Sequence, residues 1–80
     1  MRVQEIGKLL NLNGYKKLTT KRINFETVRV GDYELNEFKH KETLALLYLV
    51  DEEKQKKVIE LLKSNGLNVD YFQGYIRILN

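Results

Sequence analysis

The stretch Leu44-Ala45-Leu46-Leu47-Tyr48-Leu49-Val50, followed at once by Asp51-Glu52-Glu53, decides the fold. By periodicity alone, an apolar run of this length fits a buried strand or a buried helical segment equally well. The residues after it separate the two readings. Asp51 is a good N-cap, Glu52 and Glu53 fall in a first turn where the helix dipole favours carboxylates, and Lys63 with Asn65-Gly66 suits the far end. A helix starting at Asp51 leaves no turn between itself and a preceding helix. Either Glu42 to Ser64 is one long helix, whose inward stripe would carry Asp51 and Gln55, or Leu44 to Val50 is a central strand. The capping signals favour the strand.

Downstream, the second helix is expected to bury Val58, Ile59, Leu61 and Leu62. Leu67, Val69 and Tyr71 then alternate, Gln73-Gly74 interrupts, and Tyr75 to Leu79 resumes as a β segment. Upstream, Val3, Ile6, Leu9, Leu10 and Leu12 recur at helical spacing before Asn13-Gly14, which predicts a first helix over Val3 to Leu12. Between the helices, Ile23, Phe25 and Thr27 lie on one alternating phase and Val28 and Val30 on the other, a slip that a bulge near Thr27 would explain. Gly31-Asp32 suits a two-residue type II′ turn, so a hairpin is expected over Arg22 to Phe38. The sum is a single α+β domain over residues 1–80, in the order α-β-β-β-α-β-β. Its antiparallel or mixed sheet would have four to five strands with two helices against it.

Composition narrows the chemistry. At 80 residues, 42% apolar and 31% charged, the chain is sized for one soluble domain with a modest core. The absence of cysteine removes disulfides, thiolate metal sites and cysteine nucleophiles together. Met1 to Leu12 carries Arg2, Glu5 and Lys8 at intervals, unlike an export signal, and the longest apolar run is far short of the ~18 residues of a membrane span. A cytoplasmic, soluble protein is expected. The net charge of +3 is concentrated near the N-terminus, where Arg2, Lys8, Lys16, Lys17, Lys21 and Arg22 face Glu5 alone.

Within that region, Tyr15, Lys16, Lys17, Lys21 and Arg22 form the candidate nucleic-acid site, with Thr19 and Thr20 between them. Cations neutralise phosphates and release counterions, hydroxyls bond phosphate oxygens, and an aromatic ring can stack on a base. The competing reading is a solvated connector with lysines for solubility. Lys54, Lys56 and Lys57 are a weaker cluster, because Glu52 and Glu53 stand four residues before Lys56 and Lys57.

Catalysis finds little to use. His40 is the only histidine, without triad or metal-ligand spacing, and Ser64 is the only serine, in a helix C-terminal turn. Asp51, Glu52 and Glu53 are explained by capping, Glu34 and Glu37 by a solvated hairpin face, and no glycine-rich phosphate loop is present. A non-enzyme without cofactor, metal or small-molecule substrate is expected.

The strands carry a further indication. Leu44 to Val50 is apolar on both alternating faces, and Tyr71 and Phe72 point to opposite sides. Two short helices readily cover one face only, unless the first packs opposite the second. A second copy would supply the remaining cover, so a homodimer using Tyr71, Phe72, Tyr75 and Ile78 is expected. Val58 to Leu79, as helix, Asn-Gly stop, strand, glycine turn and strand, resembles the recognition helix and wing of winged-helix proteins. The helix and turn that precede the recognition helix in that family require a helical Leu44 to Val50. The leading reading is a small basic module binding nucleic acid through phosphate contacts. The alternative is an inhibitor or adaptor that binds a protein partner through the aromatic sheet face or an edge strand.

Overall fold

Ile6 and Leu10 in the first helix, and Val58 and Leu62 in the second, lie four residues apart, so each pair stacks on one helix face and all four side chains are buried. The structure, a computed structural model, describes residues 1–79. Its elements are α1 (Val3–Leu12), β1 (Thr19–Ile23), β2 (Glu26–Val30), β3 (Tyr33–His40), β4 (Thr43–Leu49), α2 (Glu52–Ser64), β5 (Asn68–Phe72) and β6 (Tyr75–Leu79). The strands form two antiparallel sheets, one of β1 and β2, the other in the order β3-β4-β6-β5.

The apolar run that begins at Leu44 is a strand. β4 sits centrally between β3 and β6 and buries alternate residues Thr43, Ala45, Leu47 and Leu49. The Asp51 carboxylate accepts from the Glu53 amide at 2.9 Å and starts α2 directly after it. With strand β4, and not a helix, immediately before α2, the winged-helix order is not met. Inside α2, Gln55, Val58 and Leu62 are the buried residues, while Ile59 and Leu61 are only half-buried beside them. The two helices end alike. Asn13 and Asn65 each donate a side-chain hydrogen bond back to the carbonyl four residues earlier, at 2.8 Å, and a left-handed glycine follows.

Both helices pack on the same face of the four-stranded sheet. Tyr33 and Leu35 face α1, with the Tyr33 hydroxyl donating to Asn11 Oδ1 at 2.8 Å, and Tyr71 reaches Gln55 of α2 at 3.0 Å. Ile76 and Ile78 complete the core between them. The alternate residues Glu34, Asn36, Leu46, Tyr48, Asp70, Phe72, Tyr75 and Arg77 lie on the opposite face, which no helix or strand among the described residues covers.

The expected hairpin over Arg22 to Phe38 is corrected. β2 and β3 belong to different sheets, and the turn falls earlier, at Asn24-Phe25 between β1 and β2. Both turn residues have left-handed backbones, φ 50° and 65°, as a type I′ connection requires. The change of phase that suggested a bulge near Thr27 is the chain reversing direction. Gly31 serves a close crossing. A Cβ there would lie 2.5 Å from the Lys17 carbonyl oxygen, and its φ is 134°.

A candidate nucleic-acid interface on a free-standing arm

β1 and β2 form an arm. All ten of their residues are exposed, the strands pack on each other, and they make only slight contact with any other element. Cross-strand pairing sets its two faces. Lys21 lies opposite Val28 and Thr19 opposite Val30, so Ile23, Val28 and Val30 share one face with Lys21, Thr19 and Glu26. Arg22 opposite Thr27 and Thr20 opposite Arg29 form the other, a face of two guanidinium and two hydroxyl groups. At the tip, Phe25 is 92% exposed.

A two-stranded ribbon is marginal by itself in water, so the root must fix it. The backbone amide of Leu18 donates to the Tyr33 carbonyl at 2.7 Å, and that of Asp32 donates to the Lys16 carbonyl at 2.8 Å. The Asp32 carboxylate accepts from the Lys16 amide at 2.8 Å and from Lys54 of α2 at 2.6 Å. These bonds, that from Lys54 first, hold the Asp32 carboxyl below its usual value and raise that of Lys54. Higher up, Arg29 donates to Glu34 of β3 at 2.9 Å, which ties the cationic side of the arm to the open side of the sheet. Hydrogen bonds from Asn36 and Arg29 keep the Glu34 carboxyl below the usual range.

The five sequence-derived residues are spread along this unit. Lys21 and Arg22 stand on opposite faces of β1, and Lys16 and Lys17 sit at the root with exposed side chains. Tyr15 is half-buried against the core beneath them, as packing at the base of the arm. Sequence reasoning missed Phe25 and Arg29. Asn24, a residue that tolerates a left-handed backbone, was the available signal for the turn that exposes Phe25, and the better-looking glycine turn at Gly31 masked it.

The second predicted set divides between the two faces of the large sheet. Phe72 and Tyr75 lie on the open face beside Tyr48, whose ring centroid is 5.9 Å from that of Tyr75. Arg77 lies 5.6 Å from the Phe72 ring centroid, held there by two hydrogen bonds to Asp70, whose carboxyl it keeps below the usual range. Tyr71 is on the helix side at the sheet edge, and Ile78 is 0% exposed, so a partner on the open face meets neither directly.

Among the described residues, no three His, Asp or Glu side chains converge as metal ligands, and no helix is long and apolar enough to cross a membrane. Comparison of the chain with known protein families, with curated proteins and with solved structures found no match.

Proposed function

We propose that this protein is a non-enzymatic nucleic-acid-binding module that engages phosphates through the β1–β2 arm and its root. One observation carries the reading: a ribbon exposed along its whole length bears Lys21, Arg22 and Arg29 against Glu26, with Arg29 paired to Glu34 of β3, and Lys16 and Lys17 stand where the ribbon joins the body. A two-stranded β-ribbon can lie in either groove of duplex DNA, and hydroxyl and cationic side chains are the usual phosphate ligands. Thr20, Arg22, Thr27 and Arg29 supply both on one face. Charge reversal at Lys16, Lys17 and Lys21 tests the reading by fluorescence anisotropy on duplex and single-stranded probes. Binding should weaken on every sequence, with the slope of log affinity against log salt falling by about one for each phosphate no longer neutralised. Unchanged affinity in that variant would refute it.

A second reading is favoured by the position of both helices on one side of the large sheet. The open face would then meet a second copy or a protein partner through Leu46, Tyr48, Phe72 and Tyr75. That association should persist at high salt and be abolished in Y75E. A strictly monomeric chain at high concentration would remove the homodimer.

A further inference from the structure

We propose that Phe25 is a wedge that enters between stacked bases of duplex DNA and kinks the helix, an inference that rests on the nucleic-acid reading above. Phe25 is the second central residue of a two-residue turn and has a φ of 65°, a conformation in which a Cβ is disfavoured and glycine is the common occupant. The residue is 92% exposed at the end of the arm. The free chain therefore carries an unfavoured backbone conformation and a solvated aromatic side chain at one residue. Local conflicts of this kind cluster at functional sites.

The surroundings of the ring identify the partner. Lys21, Arg22 and Arg29 follow it down the two strands against Glu26 beside the tip, with Arg29 also paired to Glu34 of β3, so the arm keeps a net positive charge behind an apolar tip. Proteins that bend DNA combine these two parts: cations hold the phosphates while an apolar side chain unstacks one base step. The dimensions agree. A strand of five residues, as in β1, spans about 16 Å at about 3.3 Å per residue, more than the ~8 Å depth of either groove. The tip can reach the base stack while the cations of the mid-arm remain level with the phosphates.

The test uses F25G in the full chain, because glycine adopts this turn conformation freely and the arm should stay folded. The probe is a duplex with a central TA step, a donor and acceptor dye at its ends, and 2-aminopurine beside the step. The native chain should shorten the end-to-end distance and raise 2-aminopurine fluorescence. F25G should keep the salt slope, bind about ten- to a hundredfold more weakly, and give neither signal. If F25G binds and bends as the native chain does, the wedge is refuted and binding by the arm stands. If the native chain binds duplex without unstacking it, or gives a stacking signal on single strands only, the wedge is also refuted. A native chain that binds no nucleic acid at any salt removes this inference together with the reading beneath it. A change in molecular mass on F25G substitution, without effect on DNA binding, would assign Phe25 to a contact between copies instead.

Discussion

Lys54 Nζ lies 2.6 Å from Asp32 Oδ1, while the other carboxylate oxygen of Asp32 accepts from the Lys16 amide at 2.8 Å. One side chain thus ties α2 to the root of the arm. Removing the carboxylate in D32A breaks both bonds, and because the exposed Lys16 amide can turn to water the loss in urea unfolding should be about 0.5–1.5 kcal/mol.

The same residue predicts a pH dependence. The folded-state pKa of Asp32 lies below its ordinary value, through the bonds from Lys54 and Lys16, so the unfolded chain binds protons more readily there. Its contribution to stability is present above the ordinary carboxylate value and is lost as pH falls through that value toward the lowered one. Between about pH 6 and pH 3, D32N should lose less stability than the native chain, measured by the urea midpoint of each. Equal losses would show that Asp32 does not contribute through its charge.

Gly31 is fixed by two constraints at once, its φ of 134° and the Lys17 carbonyl 2.5 Å from where a Cβ would sit. G31A forces these backbones apart at the crossing. A loss of about 1–3 kcal/mol is expected, visible as a lower thermal midpoint.

The two faces of the large sheet should respond differently to truncation. I78A opens a cavity in the core and should cost about 2–5 kcal/mol. Y75A, on the open face, should leave the monomer far less affected, because its ring lies against Tyr48 at the surface. Equal destabilisation by the two would mean that the open face is not open.

Much of this architecture is legible in the sequence because local signals agree. The apolar run of β4 meets the Asp51 cap without a gap, and both helices end on Asn-Gly. The arm is where local signals compete. Gly31-Asp32 has better turn chemistry than Asn24-Phe25, yet tertiary contact uses Gly31 for a crossing and leaves the turn to a phenylalanine in an unfavoured conformation. No periodicity reveals that, since the position of Gly31 under Lys17 exists only once α1, the root and β3 have come together. For the same reason the basic residues Lys21 and Arg22 were visible, while Arg29 was not joined to them: their common unit depends on the register of β1 with β2. The open sheet face was foreseeable from two short helices, but the inward side of Ile78 depended on the register of β6 against β4.

Removing the arm tests its role in binding most directly. Leu18 and Gly31 approach closely at its root, a Cβ on Gly31 falling 2.8 Å from the Leu18 Cα, so a short Asn-Gly link can replace Thr19–Val30. Anisotropy of a labelled duplex should be followed from low to moderate salt with the native and armless chains, after circular dichroism has checked that the armless chain is folded. Salt-sensitive binding by the native chain, and its steep weakening in a folded armless chain that keeps only Lys16 and Lys17 of the site's cations, is the predicted result. Undiminished binding without the arm would contradict it.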